Sequence, residues 1–496
     1  MESFRIQSIK SFRDSGEVEI KPITVFVGQN SCGKSSLLRF PAVLSQTANY
    51  AGDNPPISLF GENVDYGNFE DVVFGKVGKE FSFSVAYSFN INWMPYSIKR
   101  RYGVETADTR DVQKVEMSVT LARVNKKIKV HKVSFQIEEK LISSLIWNGQ
   151  EYELNLVNLK DKDDFILFDR TVIFQEKEVS FEKFFPVYQN VTGAIIRTFD
   201  CEVSKEIIDD LEMRTIQAKR YSEISEDEQI VLATYKAFMF AESIAMRFHQ
   251  AYDFECKRCI SYIGPFRQNP GRIYRNSETT KSHVGAKGEN VGDILVNAYQ
   301  QRNKSSLFDD ISEWLKMDFG YNLKINELGV NYFQIMLTDD FGIESNIIDV
   351  GFGISQVLPI VAETYLLGTT NPTAVDRFGT CNLLLIEQPE LHLHPAAQAS
   401  LANLFSKCVC SNSSTKMIIE THSEHLIRKL QVLIASKDSP LTSDMVKIYY
   451  VDKKQNGEAK IEEMKIKPNG KFETQWPSGF FDKGFQLSME LTSALK

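Results

Sequence analysis

Gly28-Gln29-Asn30-Ser31-Cys32-Gly33-Lys34-Ser35 satisfies the spacing G-x-x-x-x-G-K-[ST] at every required position, and Ser36 extends the run by one more hydroxyl. A run of this kind binds phosphate. Its glycines let the backbone curl, so that successive N–H groups point inward at phosphate oxygens. The Lys34 ammonium would reach the β- and γ-phosphates of a nucleoside triphosphate, and the Ser35 hydroxyl would sit on Mg2+. The surroundings agree, because an apolar strand, ITVFV, leads in and a helical stretch, SSLLRFPAVLSQ, follows. A helix N-terminus placed there favours the same anion. ATP and Mg2+ are the expected ligands, and the competing reading is a chance glycine-rich turn.

Three segments in the second half carry further chemistry. LLLIEQPELHLHP, residues 383–395, has the form of a Walker B strand, with four apolar residues followed by the Glu387 carboxylate. Open α/β sheets bind ligands at that edge, so Glu387 is placed to hold Mg2+ or its water. The position after it is Gln388, which can orient a water but cannot take its proton. Glu390 is the nearest alternative base. IIETHSEH supplies His422 at the end of the next strand, where an imidazole would sense the γ-phosphate. Between loop and strand, DVGFGISQVLPI forms a glycine turn in which Gly353, Ser355 and Gln356 open a helix.

In this order the motifs resemble the ABC-type ATPases of the SMC/RecF/OLD-like branch. They are most similar to the compact AAA-family ATPases of bacterial anti-phage defence (PARIS, Septu or retron-associated type). The resemblance spans about residues 1–75 and 260–496, and includes IGPFR at 263–267 and the tail WPSGFFD. It implies that Gly353, Ser355 and Gln356 form a signature that meets the γ-phosphate of a second copy, so that two ATP molecules lie between two chains. It also implies His422 as the switch histidine and a separately encoded effector as partner. The chain departs from the usual pattern at Gln388, where a glutamate is expected. It departs again at Gly353-Ile354-Ser355-Gln356, where Ser-Gly-Gly-Gln is usual. Hydrolysis is therefore expected to be slow or to depend on assembly. OLD-type nucleases carry a further domain after the ATPase. Only about 75 residues follow His422, too few for a nuclease domain of usual size, so no intrinsic nuclease is expected.

The elements that must position these groups divide the chain. The expected fold class is α/β, an ABC-type P-loop ATPase core with a mainly β inserted region plus helices. Residues 1–75 read as an N-terminal ATPase lobe and 76–260 as a β-rich and helical insert. Residues 261–445 read as a C-terminal ATPase lobe, and 446–496 as closing strands and tail. The insert shows period-2 alternation in FSFSVAYSF, VEMSVTLARV, HKVSFQIEE and TVIFQEKEVSFEKF. A helix over about 226–250 opens at Ser225-x-x-Glu228, a capping-box arrangement.

Composition excludes several classes. The chain has 496 residues, 43% hydrophobic and 25% charged, with a net charge of −8. Nucleic acid would therefore need a local basic patch, for which Arg123, Lys126, Lys127, Lys129 and Lys132 on one strand and Lys99-Arg100-Arg101 are candidates. Charged strand faces are more often simply solvated. No uncharged apolar run is long enough for a membrane span, MESFRIQSIK lacks a secretory core, and seven cysteines make no disulfide framework. A cytoplasmic protein is expected. His392, His394, His422 and His425 fit nucleotide sensing and packing better than a metal site. Cys256 and Cys259 read as ordinary thiols.

Overall fold

A computed structural model describes residues 1–52, 54–90, 112–157, 170–205, 207–208, 225–275, 281–303, 305–329, 331–368, 381–474, 476, 489–491 and 493. Lys99-Arg100-Arg101 and all of WPSGFFD except Trp476 lie outside these residues.

The nucleotide-loop strand Ile23–Gly28 belongs to a six-stranded sheet. Its spatial order is Ile260–Ile263, Asn382–Glu387, Thr415–Glu420, Ile23–Gly28, Val446–Lys453 and Ala459–Glu463. The first five strands are parallel, and the last adds antiparallel at the edge. Parallel strands are covered on both faces, which is why NLLLIE reads as a continuous apolar run. Successive side chains alternate between two cores. Phe26, Leu383, Leu385 and Ile418 pack into the core shared with a second sheet. Val25, Val27, Leu384, Ile386 and Ile419 pack against helices that include Phe352–Gly368, Pro395–Ser411 and Glu424–Ala435.

The second sheet has nine antiparallel strands among the described residues. Its meander runs Glu80–Asn90, Val112–Val124, Lys127–Ile137, Lys140–Trp147, Glu151–Leu156 and Arg170–Gln175. The expected alternation is present: Val115, Met117, Val119 and Leu121 turn inward along one strand. Ser3–Ile9 pairs with Glu80–Asn90, so the strands at the two ends of the phosphate loop's approach, Ser3–Ile9 and Ile23–Gly28, lie in different sheets. The same pairing carries one continuous sheet across residue 75.

The helix expected from the capping box runs Glu226–Arg258, with the Ser225 hydroxyl accepting from the Glu228 N–H at 3.2 Å. Phe248 on this helix meets Tyr87 and Phe135 of the antiparallel sheet edge-on, at 5.1 and 5.9 Å between ring centres. Those contacts fasten the helix over the sheet by burying aromatic surface. No helix among the described residues is long and apolar enough to cross a membrane.

Candidate nucleotide site

The loop after Ile23–Gly28 turns on three residues with positive φ, Gly28 at +148°, Ser31 at +60° and Gly33 at +111°. At Gly28 a Cβ would stand 2.1 Å from the Val451 carbonyl oxygen. At Gly33 it would stand 2.5 Å from the Ser11 Oγ and 2.9 Å from the Phe12 ring. Glycine is required at both for space as well as for backbone conformation. Gln29, Asn30 and Ser31 are exposed, Cys32 and Lys34 are buried, and Ser35 and Ser36 are half-buried. The helical stretch that follows runs Lys34–Leu38 and Phe40–Asn49, interrupted at Arg39.

Lys34 curls back over the loop. Its ammonium donates to the carbonyl oxygens of Gly28 at 3.1 Å and Gln29 at 2.7 Å. The loop opens onto a cleft of about 590 Å3, lined by Ser31, Gly33, Lys34 and Ser35 together with Lys10, Phe74, Lys76 and Glu420. That lies within the range of about 300–1,000 Å3 usual for small-molecule sites. Inward glycines, a buried lysine and a flanking serine hydroxyl fit a nucleotide triphosphate with Mg2+. The metal would supply charge neutralisation at the phosphates.

The order of the strands decides which carboxylate meets the loop. Thr415–Glu420 lies between the loop strand and the Walker B strand, with Glu387 opposite Glu420 in register. Glu420 therefore stands beside Lys34, with 4.0 Å between its Oε1 and the ammonium. Its carboxyl is pushed up to about 7 by burial and by the nearby Glu387 charge, against the Ser35 hydrogen bond and the Lys34 charge. Its Oε2 is buried without a hydrogen-bond partner among the described residues. Glu420 belongs to none of the motifs singled out in the sequence, although KMIIE and LLLIE share the form of an apolar strand ending in a carboxylate.

Glu387 is buried and held from two sides. Arg39 donates to it twice, Nε at 2.5 Å and Nη2 at 2.8 Å, and the Tyr262 hydroxyl donates at 2.7 Å. Arg267 of IGPFR donates to the main-chain oxygens of Glu387 at 2.7 Å and Gln388 at 3.3 Å, which fastens the turn after the strand. Burial lowers the Arg267 guanidinium to about 10. Gln388 takes a left-handed conformation at φ +44°, and its N–H donates to the Glu420 carbonyl at 2.8 Å. Glu390 accepts from the Thr421 hydroxyl at 2.8 Å and from the His422 N–H at 2.7 Å. Burial raises its carboxyl above the usual range.

His422 points a buried Nε2 that has no partner among the described residues. Burial, with the Lys34 charge nearby, lowers its imidazole to about 4, so the ring is neutral at pH 7. His392, His394 and His425 are exposed.

The glycine turn at 351–356 packs on the Walker B turn: a Cβ on Gly353 would stand 2.9 Å from the His392 carbonyl oxygen. The Ser355 hydroxyl donates to the Phe352 carbonyl at 2.8 Å, and Ser355 and Gln356 are 7% and 5% exposed. The outward group at this helix end is Phe352, at 62%. Within one chain, then, the turn is brought to the Walker B turn, while its serine faces inward.

The model of the AAA ATPase domain family matches residues 1–427, and that of a family described as a protein of unknown function matches 441–491. A search of curated proteins returns no match. Among solved structures, the chain is similar to the Smc head domain with an extended coiled coil, bound to the C-terminal domain of ScpA, from Pyrococcus furiosus. That likeness has 11% identity, covers 99% of each chain and has a TM-score of 0.39. The SMC head domain from Thermotoga maritima is similar at 11% identity over 94% of this chain and 99% of that chain, with a TM-score of 0.36. The family match covers the phosphate loop, both carboxylate-ended strands and His422. The chain belongs to the AAA ATPase domain family and is an ATP-binding ATPase.

Proposed function

We propose that the protein is an ATP-driven dimeric switch, the cytoplasmic ATPase subunit of a bacterial anti-phage defence system that controls a separately encoded effector. The observation that carries the nucleotide part is the loop Gly28–Ser36 opening onto its cleft with Lys34 and Ser35 at the wall. Mg2+ sits with Ser35 and a strand-end carboxylate, and Glu390, Gln388 and His422 tend the attacking water and the γ-phosphate. In the dimer, Gly353, Ser355 and Gln356 of one copy close on the phosphates of the other. Because Ser355 is turned inward in the single chain, that contact requires the helix end to rearrange on assembly. The β-rich region is the place for partner recognition.

Light scattering with and without ATP and Mg2+ tests the switch. The mass is expected to double on adding ATP, most fully with the slow variant Glu390→Gln. A mass that is the same in both conditions sinks the dimeric switch.

A nucleotide-bound scaffold with negligible turnover is the second reading. Gln388 stands where a base is usual, and the Glu390 carboxylate already accepts two hydrogen bonds. Direct DNA binding, as by a repair clamp, draws less support. The basic residues expected on one strand fall on two, joined by a turn at Lys126, and Arg123 on Val112–Val124 and Lys129 on Lys127–Ile137 are paired with Glu70 and Glu176.

A further inference from the structure

The phosphate loop does not wall the cleft alone. Val446–Lys453 runs parallel to the loop strand, with Val451 opposite Gly28 in register, and Ala459–Glu463 returns antiparallel. At the turn between them, Lys453, Asn456 and Gly457 line the cleft. These residues fall in segment 441–491, the part matched by the family of unknown function. The hairpin is tied to the front of the chain, because the Ala459 N–H donates to the Ser11 carbonyl oxygen at 2.7 Å and Ser11 lines the same cleft. Sheet order gives this wall a definite place along a bound nucleotide. The strands carrying Glu387 and Glu420, with His422 beyond, lie on one side of the loop strand, and Val446–Lys453 lies on the other. A triphosphate whose γ-phosphate faces His422 therefore extends its α-phosphate and ribose towards the hairpin.

Alternate side chains of a strand share one face. Tyr449 and Val451 enter the core that also holds Phe26 and, from the helix leaving the loop, Leu37 and Leu38. Lys453 is the next residue in that row, so it projects on the side of the loop helix. Three lysines line the cleft besides Lys34, and two of them are occupied. Lys10 donates to the Tyr66 carbonyl oxygen at 2.6 Å, and Lys76 is paired with Asp71 at 3.1 Å. The Lys453 ammonium has no hydrogen bond or ion pair among the described residues. The polar groups beside it at the turn satisfy one another, with Lys454 and Asn456 donating to Glu458 at 3.1 and 3.3 Å. An exposed lysine is ordinarily only solvated. This one is an uncommitted cation on a fixed hairpin, facing a site built for an anion, where a hydrogen bond to phosphate is charge-assisted.

We propose that Lys453 binds the α-phosphate of the nucleotide, and that hairpin 446–463 is the wall against which the ribose end rests. This gives the start of segment 441–491 a nucleotide-holding role. It rests on the nucleotide reading of the loop, and its test separates the two. Because ATP and ADP share the α-phosphate, the contact holds substrate and product alike and does not tell them apart.

Calorimetry on the full chain in Mg2+, titrating ATP and ADP separately, reads both affinities. Lys453 is exposed, so its removal leaves the core intact. Lys453→Ala is expected to weaken ATP and ADP equally, by about tenfold, the size of one hydrogen bond to a charged group. Lys453→Arg, which keeps the cation, is expected to restore most of the affinity. Lys460→Ala, which removes a lysine of the same hairpin outside the cleft, is expected to bind as wild type does. Wild-type affinities in Lys453→Ala overturn the proposal, as does an equal loss in Lys460→Ala, which would show only the general field of the hairpin. Loss for ATP with ADP unchanged also overturns it, by placing the lysine at the γ-phosphate. Failure of wild type to bind either nucleotide overturns the nucleotide reading itself.

Discussion

Arg39 and Glu387 are joined by two hydrogen bonds, Nε to Oε1 at 2.5 Å and Nη2 to Oε2 at 2.8 Å. The pair ties the end of the Walker B strand to the helical stretch that leaves the phosphate loop. A fork-to-fork contact fixes orientation as well as distance. Glu387 is buried while the Arg39 side chain is about one-third exposed, so the carboxylate depends on the arginine more than the reverse. The loop and the strand edge are thereby set relative to each other.

Removing Arg39 should therefore destabilise the protein. Arg39→Ala leaves the buried Glu387 charge with only the Tyr262 hydroxyl. The expected cost is about 3 kcal/mol, the lower end of what breaking a buried pair costs. Urea unfolding measures it. The double variant Arg39→Ala with Glu387→Gln should recover part of the loss, because no buried charge remains unpaired.

Gly33→Ala should damage both fold and binding. The new methyl would press on Ser11 and the Phe12 ring at a residue whose φ is +111°. A strained position of this sort costs on the order of 1–3 kcal/mol, with the loop displaced from its phosphate-binding shape. A lower unfolding midpoint together with lost ATP affinity is expected. An alanine variant that binds ATP as wild type does would contradict the cradle.

The His422 imidazole should titrate far below an ordinary histidine. Its folded value is about 4 against 6.5 for the free side chain, so between those values the unfolded chain binds more protons than the folded one. The contribution to stability is complete above pH 6.5 and is lost as pH falls towards 4. His422→Gln should flatten that part of the profile when unfolding is followed across the window. A ring signal in wild type that titrates near 6.5 would show that the histidine is not buried as described.

Much of this site was legible in the sequence because it is local. The phosphate loop, its leading strand and the helical stretch after it occupy consecutive residues, and Glu387, Gln388 and Glu390 fall within four positions of one another. Ser225 and Glu228 announced a helix start, and the structure has the capping box there. What escaped depends on sheet order. Glu420 comes beside Lys34 only because Thr415–Glu420 lies between the loop strand and Asn382–Glu387, a pairing of distant segments that no local pattern encodes. Arg39 carries no signal in the sequence, since its partner lies 348 residues away. Ser355 opens a helix after a glycine turn, yet Ile354, Val357 and Leu358 pull that helix end into the core and take the serine with them.

Glu390 is open to a kinetic test. Glutamine keeps an oxygen to accept the His422 N–H but cannot take a proton from water. If Glu390 is the base, Glu390→Gln should lower kcat by about a hundredfold, the low end of what a positioned base supplies, with KM little changed. Glu390→Ala should in addition cost about 1–3 kcal/mol of stability, because the Thr421 hydroxyl and the His422 N–H lose their acceptor. Turnover in Glu390→Gln equal to wild type would remove Glu390 from the chemistry and leave it as a clamp on Thr421 and His422.

Phosphate release from ATP, compared between wild type and Lys34→Ala at matched folded fraction by circular dichroism, tests the central claim most directly. Wild type is expected to release phosphate in a Mg2+-dependent way, and Lys34→Ala to fall to the uncatalysed background with ATP affinity lost. Wild-type turnover equal to that of Lys34→Ala would contradict the account of this loop as the site of an ATPase.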